Sequence, residues 1–246
     1  MSTVITAESR TAPGIRLSFY FWMTLLMAFF VFGGFGMTYW FPMAAGSFPP
    51  APPVVHLHGA VYFCWIILLV TQSLLVNTRR IALHRSLGLF GIALATLVIV
   101  MGSLITILGA STVVEPVGNH GIFLGITAVT GFGLLFTLAI RNTRRPDIHR
   151  RLILFAMLPI LPPGIHRLYM VPFGMETFPI VPMYMTLNAM AVAIIAHEWR
   201  TSGAIDKYTW IGTGWLVFQQ ILHATLINTA FFGGVVLGLG GLVYYR

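Results

Sequence analysis

The sequence TRRIALHR at residues 78–85 recurs with the same spacing as TRRPDIHR at residues 143–150. Each copy follows an apolar segment of membrane-spanning length, and each segment begins with a His-Gly pair, at His58 and at His120. Because an internal repeat indicates a duplicated structural unit, the sequence predicts one helical hairpin used twice. A histidine then lies near the start of all four helices.

The composition of the chain is that of a membrane protein. Of its 246 residues, 57% are hydrophobic and only 8% are charged, whereas soluble domains carry about 25% charged residues. The apolar runs are too long and too uniform for barrel strands of about 10 alternating residues. We therefore expect an all-α integral membrane protein.

Charged and proline-rich stretches divide the chain into about seven predicted transmembrane helices. No charge occurs between Arg16 and Arg79, and the proline-rich run 47–53 splits this interval into two spans. Prolines in the fifth span predict a kink there, and the Gly-rich stretch after residue 230 has no clear place. The predicted spans cover 17–41, 55–77, 84–109, 119–140, 148–170, 179–198 and part of 208–245.

The predicted organisation is a single transmembrane domain over residues 1–246. A polar cytoplasmic segment, 1–16, precedes the spans; the duplicated four-helix core covers 56–170, and peripheral helices follow over 171–246. Of the 14 lysines and arginines, all but Arg167 and Arg246 fall on one side of the membrane in this arrangement. The positive-inside rule then predicts a multi-pass protein of the cell (inner) membrane with a cytoplasmic N-terminus.

Charge and cysteine content exclude several classes of function. The net charge of +8 follows from the basic loops, so we expect no binding to nucleic acid. Cys64 is the single cysteine, which excludes a disulfide framework, an iron–sulfur cluster and covalently attached c-type haem. The expected environment of the chain is the lipid bilayer.

The repeat predicts that four histidines form two pairs. Hairpins related by a pseudo-two-fold axis along the membrane normal bring equivalent residues together, so His58 would face His120 near the outer surface and His84 would face His149 near the inner surface. Two facing imidazoles are the axial ligands of a six-coordinate haem iron. The sequence therefore predicts two b-type haems. Four arginines near the inner pair are candidates for binding haem propionates: Arg80, Arg85, Arg150 and Arg151.

The order of these motifs over residues 56–170 resembles the cytochrome b561 superfamily. It is closer still to a group of uncharacterised bacterial membrane proteins that share the four-helix, four-histidine core. The resemblance implies two b haems in the pairing that the repeat predicts, and electron transfer across the bilayer from a donor such as ascorbate or quinol. A seventh predicted span and the absence of a donor-binding motif are departures from the superfamily, so ascorbate is not carried over. The matching residues are His58, Gln72, Leu83-His84-Arg85, His120 and His149-Arg150-Arg151.

Other functions stay open at the level of sequence. The additional outer histidines His56, His166 and His223 could hold copper, zinc or iron, as in a non-haem metal enzyme or transporter. A structural or assembly subunit of a larger membrane complex, or a homo-oligomer, is a further alternative. The sequence does not decide whether the protein is an enzyme; if it is one, we expect an oxidoreductase, with a quinone or another small redox donor or acceptor as its partner.

Four polar residues inside or near the spans have predicted roles. Gln72 and Asn188 lie within predicted spans, where side-chain amides bond between helices. His197-Glu198 ends the sixth span and is predicted to form a polar cap at the membrane interface.

Overall fold

The computed structural model describes residues 17–111, 117–175 and 177–244, and this part of the chain is helical, with no strand. The prediction of an all-α fold is confirmed. The predicted cytoplasmic segment 1–16 lies outside the described residues. The helices are α1 (Phe19–Phe35), α2 (Phe41–Ala44), α3 (Pro53–Asn77), α4 (Ile81–Ala110), α5 (Val117–Arg141), α6 (Pro146–Met157), α7 (Pro162–Phe173), α8 (Ile180–Ser202), α9 (Lys207–Leu226) and α10 (Ala230–Tyr244).

Up to seven of the helical segments can cross a membrane. A π-helical turn joins α1 to α2, so that Phe19–Ala44 forms one long segment. This segment, α3, α4, α5 and α8 are each long and apolar enough to span. Two bent pairs complete the set: α6 and α7 meet at 49°, and α9 and α10 meet at 100°. The first bend contains Pro159 and Pro162 and is the kink that the sequence predicts.

Local sequence signals account for where several helices begin and end. Pro53 stands at the first position of α3, where its missing N–H costs nothing. Asp206 caps α9 by accepting a hydrogen bond from the Tyr208 N–H at 2.8 Å. Gly203 follows α8 with φ +72°, a left-handed conformation that glycine adopts without strain.

The histidines of the two repeated octets occupy equivalent positions in their helices. His84 donates its backbone N–H to the Arg80 carbonyl at 3.0 Å, and His149 donates to the Arg145 carbonyl at 2.9 Å. Both histidines therefore lie in the first turn of a helix. An asparagine precedes each octet, and each turns its side-chain amide onto the carbonyl four residues earlier, Asn77 at 2.7 Å and Asn142 at 2.8 Å.

Small residues let the peripheral helices approach the core closely. A Cβ at Gly34 in α1 would lie 2.1 Å from the Gly164 carbonyl oxygen in α7, so these backbones touch. A Cβ at Gly212 in α9 would lie 2.4 Å from the Phe155 ring in α6. Helices α3 to α6 pack in sequence order, and fully buried apolar side chains fill the interior: Phe132, Leu135, Leu152, Met157, Leu158 and Leu161.

Three loops and the start of α1 gather at one end of the bundle, here called the basic end. The Ser18 N–H donates to Asn77 Oδ1 at 2.7 Å, which joins the start of α1 to the α3–α4 loop. The Arg150 guanidinium lies 4.2 Å above the Tyr20 ring, and the His197 ring stacks on Phe19 at 4.1 Å. The basic residues of the α3–α4, α5–α6 and α8–α9 loops thus share one end.

Candidate cofactor sites at the two ends of the bundle

At the basic end, the first turns of α4 and α6 bring His84 and His149 close enough to interact electrostatically. The His149 Nδ1 lies 2.9 Å from the Ala139 carbonyl oxygen in α5. A carbonyl only accepts, so this nitrogen carries the proton and the Nε2 of neutral His149 keeps a free lone pair. A backbone carbonyl on the far nitrogen is the usual way in which proteins orient a metal-ligating histidine.

The His84 side of this site contains buried polar atoms that the protein does not satisfy. The His84 ring lies against the backbone of Gln72. Its Nδ1 and the Gln72 Oε1 are both buried without a hydrogen-bond partner among the described residues. Buried polar atoms of native proteins are nearly always paired, so these two atoms fit a site that holds a further group. A Cβ at Gly88, one turn after His84, would meet no atom closer than 4.0 Å.

At the opposite end of the bundle, called the histidine end, five histidines lie in the helices: His56, His58, His120, His166 and His223. Three side chains from three helices form a hydrogen-bonded row there. His120 Nδ1 in α5 lies 2.9 Å from His223 Nε2 in α9. His223 Nδ1 lies 2.6 Å from the Tyr184 hydroxyl in α8. Both ring nitrogens of His223 are hydrogen-bonded within this row, whereas the Nε2 of His120 is not part of it.

Aromatic rings hold this row in place. The Phe123 ring stacks on His223 with centroids 4.5 Å apart and planes 7° apart. The Phe178 ring stacks on His120 at 5.3 Å. His223 is only 2% exposed, so its orientation is fixed by packing as well as by hydrogen bonds.

His58 lies in the first turns of α3 and is not part of this row. Its ring contacts Tyr62 with centroids 4.3 Å apart and lies against the backbone of Met101. Its Nδ1 is buried with no hydrogen-bond partner in the described chain. Within that part of the chain, no hydrogen bond or ring contact joins His58 to His120. The predicted outer pair stays a prediction.

The alternative outer metal ligands have other partners. His56 Nδ1 lies 2.8 Å from the Tyr39 hydroxyl, and His166 Nδ1 donates to the Pro162 carbonyl at 3.0 Å. His223 has no free nitrogen. Across residues 17–111, 117–175 and 177–244, no three histidine, cysteine, aspartate or glutamate side chains are grouped as metal ligands.

The four predicted propionate ligands divide into two kinds. Arg151 is buried, and its Nη1 lies 3.0 Å from the Glu198 carboxylate, which is itself 2% exposed. Arg150 pairs with Asp147. Arg80 and Arg85 are exposed on either side of His84, and neither forms an ion pair with a described residue. These last two are therefore the arginines that are free to bind an anionic group beside His84.

Two polar positions in α8 have partners on other parts of the chain. Glu198, predicted to form a polar cap, is buried at the basic end: besides the Arg151 ion pair, it accepts the Asp206 N–H at 2.9 Å and the Thr209 hydroxyl. Asn188 does bond between helices, through a reciprocal amide pair with Gln220 at 3.1 and 2.8 Å. The roles of Glu198 and Tyr184 had no signal in the sequence, because their partners are fixed by helix packing.

Comparisons of the chain with protein-family models, with curated proteins and with solved structures found no match. The fold and the two sites define the chain as a multi-span helical membrane protein. It has one histidine in the first turn of each of two repeated helices at one end and a hydrogen-bonded row with two histidines at the other.

Proposed function

We propose that this protein transfers electrons across a membrane through two b-type haems. His84 and His149 would hold one haem at the basic end, and His58 and His120 would hold the other at the histidine end. The observation that carries the proposal is the pair His84 and His149. The same octet places both imidazoles in first turns, and one of them has its Nδ1 fixed by a carbonyl while its Nε2 is free.

The residues at the basic end suit a haem with its propionates toward the loops. The unpaired guanidinium groups of Arg80 and Arg85 flank His84 and supply positive charge for carboxylates. Arg150 and Arg151 already have acidic partners and would act on the site through the electrostatic field of the loop. The unpaired buried atoms of His84 and Gln72 mark the interior side of the same site.

The residues at the histidine end suit a second haem less completely. The buried Nδ1 of His58 has no described partner, and His120 has its Nδ1 occupied and its Nε2 outside the hydrogen-bonded row. Helices α3 and α5, which contain His58 and His120, both begin at the histidine end of the bundle. Haem supplies one-electron chemistry that amino-acid side chains lack, and the chain's residues would bind it, orient it and keep water away from it.

The charge distribution supports a membrane orientation. With the basic end in the cytoplasm, the arginine-rich loops obey the positive-inside rule, and the chain lies in the cell (inner) membrane with a cytoplasmic N-terminus. A quinone or another small redox compound is the expected partner, so the protein would act as a quinone-linked reductase or oxidase subunit. The proposal rests on the same histidine core whose resemblance to the cytochrome b561 superfamily the sequence indicates.

Absorption spectra of the purified protein test this proposal. The wild-type chain should show sharp reduced α and β bands and about two haems per chain. Each single variant His58→Ala, His84→Ala, His120→Ala and His149→Ala should keep about one haem. His197→Ala removes a basic-end histidine that stacks on Phe19 and should keep both.

Double variants test which histidines share a haem. His84→Ala with His149→Ala should still leave one haem, because both changes affect the same site, whereas His84→Ala with His120→Ala should leave none. A featureless visible spectrum from folded protein produced with ample haem would reject the proposal. Stoichiometric copper, zinc or iron without haem in the same sample would favour the non-haem alternative.

A further inference from the structure

We infer that His223 and Tyr184 are positioning residues for His120. The row Tyr184–His223–His120 holds the His120 imidazole in the tautomer that has its proton on Nδ1 and a free lone pair on Nε2. This inference rests on the proposed function, in which His120 binds haem iron, and it adds two residues that lie outside the repeated core.

The geometry of the row carries this assignment. Its two hydrogen bonds measure 2.9 and 2.6 Å and connect α5, α9 and α8. Tyr184 is 9% exposed and His223 is 2% exposed, so water does not compete for these nitrogens. The Phe123 ring stacks on His223, which prevents the imidazole from rotating out of the row.

Only two arrangements of protons satisfy this row when both histidines are neutral. In the first, His120 Nδ1–H donates to His223 Nε2, and His223 Nδ1–H donates to the Tyr184 oxygen. In the second, Tyr184 donates to His223 Nδ1, His223 Nε2–H donates to His120 Nδ1, and the proton of His120 must stand on Nε2. A metal ion needs the Nε2 lone pair, so the first arrangement alone is compatible with ligation by His120.

The basic end provides the precedent within the same molecule. There the Ala139 carbonyl accepts the Nδ1 proton of His149 at 2.9 Å. At the histidine end His223 Nε2 lies at the same distance from His120 Nδ1 and takes the place of the carbonyl. An acceptor of this kind orients the ligand and makes it more basic, and its removal typically weakens metal binding about 10–100-fold.

The sharpest test compares two amides at position 223. A glutamine amide reaches the position of the imidazole Nε2, whereas an asparagine amide reaches only that of Nδ1. His223→Gln can therefore still accept from His120, and His223→Asn cannot. We expect His223→Asn and His223→Leu to lose haem from one site about 10–100 times more readily and to raise the midpoint potential of that haem. His223→Gln keeps the acceptor for His120 but not the contact with Tyr184, so in both measurements it should change that haem no more than Tyr184→Phe does.

A control separates positioning from packing. Asn188→Leu breaks the amide pair with Gln220, which joins the same two helices, α8 and α9, without touching His120. This variant should keep both haems and both midpoint potentials. Tyr184→Phe removes only the hydroxyl and should shift the same haem as His223→Leu, by a smaller amount; it also provides the test if changes at position 223 prevent folding.

The outcomes distinguish the two proposals. If the wild type holds two haems and His120→Ala loses one, but His223→Asn and Tyr184→Phe behave like Asn188→Leu, the positioning role is overturned and the haem proposal stands. The positioning role is also overturned if His223→Gln and His223→Asn are equally impaired. If the wild type binds no haem, both proposals fail together.

Discussion

The two ends of the bundle orient histidines by different means. At the basic end His149 is held by a backbone carbonyl ten residues earlier in the sequence, within the repeated hairpin itself. At the histidine end His120 is held by a side chain 103 residues away, on a helix outside the repeat. The basic end also contains both ion pairs of the described chain. A duplicated core can thus be completed differently at its two ends by the helices that surround it.

The largest effect is expected from the buried ion pair of the basic end. Glu198→Leu would leave the Arg151 guanidinium buried without its carboxylate, which typically costs about 3–5 kcal/mol. Thermal unfolding of the detergent-solubilised protein measures the loss. The double variant Arg151→Met with Glu198→Leu should recover much of it, because no charge is then buried. A double variant as unstable as Glu198→Leu would show that the ion pair is not the cause.

The next effect concerns the packing of α1 against α7. Gly34→Ala would place a Cβ 2.1 Å from the Gly164 carbonyl oxygen, so the two backbones must separate, at a cost of about 1–3 kcal/mol. Gly214→Ala is the matched control, since a Cβ there meets nothing within 4 Å, and it should not lower the unfolding temperature. Equal unfolding temperatures for the two variants would contradict the close approach.

A third prediction compares two tyrosine–histidine hydrogen bonds at the histidine end. Tyr184→Phe would leave His223 Nδ1 buried without a partner, a loss of about 1–3 kcal/mol. Tyr39→Phe removes the bond to His56 in a half-buried position, where water can replace the hydroxyl, and should cost about 0.5–1.5 kcal/mol. Denaturation of both variants under the same conditions measures the difference between their free energies of unfolding. A larger loss for Tyr39→Phe would contradict the prediction that the buried hydrogen bond contributes more.

The smallest effect is expected at the exposed ion pair of the basic end. Asp147→Asn removes the carboxylate that Arg150 contacts, but the two side chains are 68% and 47% exposed. Exposed ion pairs contribute about 0–1 kcal/mol, so the unfolding temperature should barely change. Comparison with Glu198→Leu then measures how much more the buried ion pair contributes to stability than the exposed one. A loss as large as that of Glu198→Leu would contradict this ranking.

The sequence predicted those features that depend on local pattern. The apolar lengths predicted the spans, the prolines predicted the bend between α6 and α7, and the repeated octets predicted that His84 and His149 occupy equivalent first turns. Each of these needs only neighbouring residues along the chain.

Features that depend on packing between helices distant in the sequence could not be predicted from local patterns. Asn188 could be identified as an interhelical donor, but not its partner Gln220. Glu198 looked like an interfacial residue because Arg151, its partner, stands 47 positions earlier in the sequence. His223 appeared as one more outer histidine, and only the arrangement of α5, α8 and α9 shows that both of its nitrogens are engaged.

The bend between α9 and α10 has a consequence for the surrounding lipid. Because α10 leaves α9 at 100°, it runs across the bundle and not along it. The Phe232 ring of α10 contacts Phe123 at the histidine end, while Phe231, Leu237 and Leu242 are 67–78% exposed. In a bilayer whose normal follows the bundle, this helix occupies area in one leaflet only. The exposed apolar side chains of this helix would then lie among the lipid chains of that leaflet, at the level of the histidine end.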